Sequence, residues 1–206
     1  MTRLYLVRHG ETEWNRFSKV QGRTDTELSE EGIKQAQLLA GRLARENIDI
    51  IYSSSLKRAL RTAEIVAGYK SCKVVESDKY HEICLGPWEG MTINEIKEKY
   101  TEHFRVYRED PANFNLPGAE TFMDLTERTY NAISDIVNRH KGSNILVVSH
   151  GTAIKAAIIR ILGIDIINYS KFRVDNVSIS IIDFMEDNPE KPVVQCLNDT
   201  GHLNIT

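Results

Sequence analysis

A chain of 206 residues with 41% hydrophobic content is long enough for one domain with a real core, or a core plus a small cap. Its net charge of -3, without a long basic run, gives no electrostatic footprint for nucleic acid or a membrane surface, so any anion site must come from a few local cations. No stretch approaches the roughly 18 apolar residues of a membrane span, and the three scattered cysteines, Cys72, Cys84 and Cys196, fit neither a disulfide framework nor zinc-ligand spacing.

The first predicted element is the apolar run Leu4 to Val7, which leaves no room for an apolar leader. It breaks abruptly at Arg8-His9-Gly10, as a buried strand ending in a tight turn does. Side chains at the carboxyl end of such a strand face the crevice where open α/β sheets bind ligands. The Arg8 guanidinium suits a bidentate anion such as phosphate, and the His9 imidazole suits a nucleophile, a base or a metal ligand. Taken alone, the pair also fits a surface arginine bridged to Glu11 or Glu13.

Arg16 to Glu27, containing Gln21-Gly22-Arg23, is polar and aperiodic, as a loop is. Ser29 caps a helix expected to reach about Glu46, with Ile33, Ala36, Ala40 and Leu43 at helical spacing. Ile48 to Tyr52 is a second strand. Ser53-Ser54-Ser55 then supplies the expected N-cap of a helix carrying Leu56, Leu60, Ala63 and Ala67 and ending at Gly68. Lys73 to Glu76 is a third, weaker strand.

Residues 80–118 differ in texture. Pro111 and Pro117 interrupt them, Thr92 to Glu95 forms a capping box, and Trp88, Tyr100, Phe104, Tyr107 and Phe114 are scattered through them. They read as a cap of short helices and loops inserted over the strand ends, its aromatics forming cap core more than substrate contacts. Thr121 opens a long helix with Leu125, Ile133, Ile136 and Val137 on one face, ended by Lys141-Gly142. Asn144 to Val148 is a buried strand running through Ser149-His150-Gly151-Thr152 into another helix. Ser178 to Phe184 and Val193 to Leu197, joined by a turn at Glu186 to Pro189, form an antiparallel hairpin at a sheet edge. The alternation predicts an α/β three-layer αβα sandwich, with a mostly parallel sheet, an antiparallel edge strand and a small helical cap.

Ends of parallel strands share one edge, so Arg8, His9, Arg58 and His150 can converge. Two arginines repel a cation, and no carboxylate joins the histidines at ligand spacing, so no metal is expected and no other cofactor is implied. A phosphoryl or carboxylate group fits, helped by the helix N-terminus at Gly151. Read in isolation, Arg58 is a solvated helix arginine like Arg61. His81 reads as a surface or supporting residue, and His103, His140 and His202 have no motif context. Nothing beside Cys84 marks an activated thiolate.

Four segments in order, Leu6-Val-Arg-His-Gly-Glu-Thr-Glu-Trp-Asn15, Ser54-Ser-Leu-Lys-Arg-Ala59, Glu82 with Gly86-Pro-Trp-Glu-Gly90, and Val147-Val-Ser-His-Gly151, resemble the histidine phosphatase superfamily, also called phosphoglycerate mutase-like. The resemblance covers nearly the whole chain. It implies a phosphoglycerate mutase-like fold, His9 as the nucleophile that becomes phosphohistidine, and Arg8, Arg58 and His150 as the clamp on the phosphoryl oxygens. Asn15, Gln21 and the amides of Gly22 and Gly151 or Thr152 are implied as phosphate contacts. Glu82 is implied as the proton donor. The arginines favour its ionised form, so it is expected to act as an acid once a phosphate dianion offsets them.

The interval from Glu82 to His150 is shorter than in cofactor-dependent mutases of this family, which favours hydrolysis over mutase activity. Gln21 to Asp25 and Phe172 to Asn176 resemble the branch with α-ribazole, phosphoserine and broad-specificity phosphatases. The expected partner is a small phosphorylated metabolite, with α-ribazole phosphate, phosphoserine, 3-phosphoglycerate and sugar phosphates as candidates; no nucleic acid or membrane partner is expected. A non-catalytic phospholigand-binding protein is a weaker reading, because the implied catalytic positions are all present. A reducing cytoplasm is the expected location. The last strands could pair edge to edge in a homodimer, although nothing in the sequence requires it.

Overall fold

The computed structural model describes residues 1–70, 72–187 and 191–204. Among them, strands β1 (Thr2–Arg8), β2 (Ile50–Ser53), β3 (Val74–Glu76), β4 (Asn144–Ser149), β5 (Ile179–Phe184) and β6 (Val193–Asp199) form one sheet in the order β3-β2-β4-β1-β5-β6. The first four strands of that order are parallel. β5 runs antiparallel to β1, and β6 pairs antiparallel with β5 at the edge. The expected hairpin is therefore present, with the reversed strand one place in from the edge. Part of the turn expected at Glu186 to Pro189 lies outside the described residues.

The helices are α1 (Glu13–Arg16), α2 (Glu30–Leu43), α3 (Lys57–Gly68), α4 (Ile93–Lys99), α5 (Thr101–Glu109), α6 (Phe122–Arg139) and α7 (Gly151–Ile161). Alternating side chains of β1 and β4 serve both sheet faces, which is why these strands are apolar throughout. Leu4, Leu6, Ile145 and Val147 pack with α6 and α7. Tyr5, Val7, Leu146 and Val148 pack with α2 and α3. These are the three layers that the alternation of elements predicts.

Several boundaries differ from the sequence reading for local reasons. Ser29 Oγ does accept the Gly32 N–H at 3.0 Å, but α2 stops at Leu43. Beyond it, Lys70 Nζ donates to the carbonyls of Ala44 and Glu46, satisfying acceptors that a longer helix would have used. The serine cluster does not cap α3. Ser53 Oγ bonds Ser54 O, Ser54 Oγ meets His150, and Ser55 Oγ meets Asp78 and His81. The α3 N-terminus instead receives Asp25, whose Oδ1 accepts the Lys57 N–H at 2.8 Å. The short α1 was not expected; its Thr12–Asn15 capping box is the signal for it.

Residues 80–118 carry α4 and α5 and form a third apolar cluster. Ile83, Leu85, Trp88, Ile96 and Phe114 lie on Phe122 and Leu125 of α6 and on Ala153 and Ala156 of α7. Trp88 is the hub, its ring 5.4 to 6.3 Å from those of Tyr100, Phe104, Tyr107 and Phe114. This cluster covers the first turns of α7, where the sheet's carboxyl edge opens.

Candidate active site

β4 pairs in parallel with both β1 and β2, so three carboxyl ends lie side by side. The register sets Arg8 opposite Ser149, and Ser53 opposite Val148. His9 and His150 each follow directly on a strand, and their ring centroids lie 5.1 Å apart. Arg58 reaches the same edge from the first turn of α3 and is fully buried, unlike the solvated arginine that its helix position allows. Arg8, His9, Asn15, Gln21, Gly22, Arg58, Glu82 and Thr152 line one cavity of about 170 Å³. The fully buried His150 ring is tilted 59° against that of His9, and Gly151 lines a wider cavity alongside.

The His9 ring has a defined tautomer. Nδ1 lies 2.7 Å from the Gly10 carbonyl, which only accepts, so Nδ1 carries the proton and Nε2 keeps a lone pair. Burial holds His9 well below the usual histidine range, and Arg58 and Arg8 lower it further. Gly10 is fixed in turn, its N–H donating to Thr62 Oγ1 at 3.1 Å. A side chain at Gly10 would meet the Gly32 carbonyl at 2.5 Å, so α2 closes on this turn only because glycine occupies it. His150 is lowered mainly by burial, then by Arg58 and His9. Ser54 Oγ accepts the Leu56 N–H at 3.3 Å and lies 2.8 Å from His150 Nε2, the one ring nitrogen near its hydroxyl proton. A proton given to Nε2 puts that of His150 on Nδ1, which is buried without a protein partner and so is a free donor for a ligand.

Both guanidiniums spend their hydrogen bonds on neutral oxygens. Arg8 Nη1 donates to Val174 O at 2.8 Å, and Arg58 donates to Thr24 O at 2.8 Å and Gly22 O at 2.7 Å. The Nε of each is buried without a partner. Burial pushes Arg58 down to about 10 and lowers Arg8 as well, while Glu82 acts in the opposite sense on both. Buried cations without carboxylate partners are costly, so this cavity is electrostatically built for an anion.

Glu82 is fixed more tightly than its sequence position suggests. Its Oε1 accepts the N–H groups of Ile83 at 2.9 Å and Ala153 at 3.0 Å, and its Oε2 accepts that of Thr152 at 3.1 Å. The Thr152 amide, expected to serve a phosphate, is therefore directed at Glu82. A carboxylate at the α7 N-terminus satisfies the helix dipole and two otherwise unpaired donors. Asn15 and Gln21 commit their oxygens to the protein. Asn15 Oδ1 accepts the Thr12 N–H at 3.1 Å, and Gln21 Oε1 accepts from Thr26 Oγ1 at 2.6 Å. Both amides keep NH2 donors for a ligand. Gly22 holds φ of 51°, and a Cβ there would collide with the Glu89 carboxylate.

Four positioning residues escaped the sequence reading. They are Ser54 and Thr62, Glu89, and Asn176, whose Nδ2 donates to His9 O at 3.0 Å. Glu89 accepts the N–H groups of Arg23, Thr24 and Leu85 within 3.0 Å and so shapes the Gly22 loop. Its place in Gly86-Pro-Trp-Glu-Gly90, and that of Asn176 beside Phe172 to Asp175, were the available signals. Next to Asn176, Val177 holds φ of 51°, strained for a β-branched residue, while its N–H donates to Arg8 O at 3.1 Å. His81 supports the rim through Ser55 at 2.7 Å, His140 bonds the Tyr52 hydroxyl at 2.8 Å, and Cys84 donates to Gly118 O. Among the described residues no three of His, Cys, Asp and Glu gather as a metal site, and no helix is long and apolar enough to cross a membrane.

Comparison with known proteins agrees with this geometry. The chain is 40% identical over 203 residues to Phosphoserine phosphatase 1 of Hydrogenobacter thermophilus, covering 98% of this chain and 95% of that one. It is 33% identical to Probable phosphoglycerate mutase GpmB of Escherichia fergusonii, over 99% and 96% of the two chains. Among solved structures, a mutant phosphoserine phosphatase from Entamoeba histolytica in complex with phosphoserine superposes with a TM-score of 0.88 at 36% identity, covering 98% of this chain and all of that one. The model of the histidine phosphatase superfamily (branch 1) matches residues 4–200, and the chain belongs to that family.

Proposed function

We propose that the protein is a phosphomonoesterase, one catalytic domain with residues 80–118 as its cap, that hydrolyses a small phosphorylated metabolite through phosphohistidine at His9. The observation that carries this reading is the pair of guanidiniums, Arg58 fully buried and Arg8 half-buried, beside the deprotonated Nε2 of His9, with no described carboxylate within ion-pair distance of either and Glu82 committed to three backbone donors. A phosphate dianion supplies the missing charge. His9 Nε2 attacks phosphorus in line, the P–O ester bond breaks, and the alkoxide takes a proton from Glu82. Arg8, Arg58 and the Nδ1–H of His150 stabilise the equatorial oxygens, and Asn15 and Gln21 add neutral donors; each such preorganised donor is worth a few kcal/mol. Water then attacks the phosphohistidine, Glu82 recovers the proton, and phosphate leaves.

The test uses phosphoserine, 3-phosphoglycerate, α-ribazole phosphate and sugar phosphates, with free phosphate and isomerised product measured together. Phosphate release, an acid-labile phosphoprotein during turnover, and an inert His9→Ala variant are expected. Isomerisation that depends on a bisphosphate primer would make the protein a mutase instead, the reading favoured by its likeness to Probable phosphoglycerate mutase GpmB. No turnover of any ester would leave a phospholigand-binding protein. The free thiols of Cys72, Cys84 and Cys196 support a reducing cytoplasm. The outer edge of β6 is the candidate seam for a homodimer, which light scattering of the intact chain would reveal.

A further inference from the structure

Beside the cavity at His9 lies a wider one of about 530 Å³. The two share Arg8, Glu82, Tyr107 and Thr152. It is also lined by Lys97, Arg108 and Lys155, and among the described residues Glu82 is the only carboxylate lining it. Glu82 already serves three backbone donors. Lys155 stands four residues beyond Gly151 on α7, about 6 Å further along the helix axis. Both residues line the same cavity.

The Lys155 ammonium lies 5.3 Å from the Tyr169 ring centroid, and no described carboxylate comes within ion-pair distance of it. Asp175 is in electrostatic range, but its oxygens are taken by Asn198 at 2.8 Å and Arg173 at 2.9 Å. Burial, then Arg8 and Arg108, lowers the pKa of Lys155. A phosphoryl group held by Arg8 and Arg58 leaves Lys97, Arg108 and Lys155 uncompensated, and a half-buried ammonium such as that of Lys155, crowded by like charge, is unfavourable until an anion joins it.

We propose that Lys155, assisted by Arg108, recognises a second anionic group of the substrate, a carboxylate or a second phosphate a few bonds from the ester oxygen. The inference rests on the phosphomonoesterase reading and narrows it. Among the candidates it favours phosphoserine and 3-phosphoglycerate, whose carboxylates stand close to the ester, over α-ribazole phosphate.

Matched pairs test it: O-phosphoserine against O-phosphoethanolamine for the carboxylate, and propane-1,3-diol bisphosphate against 3-hydroxypropyl phosphate for the second phosphate. The wild-type protein should prefer the doubly anionic member of at least one pair by about tenfold or more in kcat/KM, as one charge-assisted contact allows. Which pair responds identifies the anion. Lys155→Met should collapse that ratio, chiefly by raising KM for the preferred member. Lys155→Arg should keep most of the preference, and Arg108→Gln, at an exposed position, should weaken it by less.

Equal turnover within both wild-type pairs overturns the proposal. So does a Lys155→Met variant that loses equal rate on both members of the preferred pair, or a wild-type kcat/KM higher for α-ribazole phosphate than for every doubly anionic ester. If all these esters and p-nitrophenyl phosphate are inert, the phosphomonoesterase reading falls first and this one with it.

Discussion

A neutral imidazole flanked by two guanidiniums, one fully and one half buried, keeps its lone pair at physiological pH, since burial and both neighbours oppose protonation of His9. The proton needed for the leaving group must then come from elsewhere, and Glu82 is the carboxyl group lining the cavity. Glu82→Gln retains the shape and one acceptor oxygen but has no proton to transfer. Turnover of alkyl phosphates by that variant should fall about 100-fold or more. Turnover of p-nitrophenyl phosphate should fall far less, because nitrophenolate leaves without help; equal losses on both would remove the proton-donor role. Arg8, His9, Glu82 and His150 were legible because each lies within a contiguous motif or at a strand end. Ser54 also lies in such a motif, yet its role was hidden, because it acts on His150 from 96 positions away. The burial of Arg58 was also hidden. The helical pattern drew the eye to Leu56, Leu60, Ala63 and Ala67; Leu56 and Ala63 are buried, but the face that α3 buries also holds Arg58, Ala59, Thr62 and Val66.

Two glycines show how differently elements use the same residue. Gly22 combines φ of 51° with contact against Glu89, in the loop that carries Gln21 and the carbonyl that holds Arg58. Gly22→Ala should therefore lower kcat/KM by about tenfold or more, since its strain and collision displace both phosphate-facing groups. Gly41, inside α2, has nothing within 4 Å of a built Cβ. There, Gly41→Ala should stabilise the fold by roughly 0.5 to 1 kcal/mol at unchanged kcat/KM. Urea midpoints with steady-state rates measure both, and similar behaviour of the two variants would contradict the assignment of the Gly22 loop to the site. Periodicity found α2, α6 and α7 because each buries a regular face. It misassigned the α3 cap because serine hydroxyls have several competing acceptors, and only the tertiary fold brings Asp25 to Lys57.

The whole molecule carries the cost of the site as a pH dependence of stability. His9 and His150 are held below the ordinary histidine value, so the unfolded chain binds protons there that the folded chain refuses. Their contribution is complete above about pH 6.5 and is lost as pH falls below it. Chemical denaturation at pH 7 and pH 5.5 should show a loss on the order of 2 kcal/mol. A flat profile would mean that the two rings charge freely in the fold. The alternation of elements made the sheet and its two helical layers legible, but not the strand order, which places β1 between β4 and β5. That placement bears on how the protein comes into being. Strand β1 leaves the ribosome before both of its neighbours, and waits for one encoded at residues 144–149 and another at residues 179–184. At ordinary translation speeds, that wait is on the order of ten seconds. For that time the Leu4 to Val7 segment is a nascent apolar strand without its partners, and the newborn chain depends on chaperones or on fast completion to stay clear of its neighbours on the polysome.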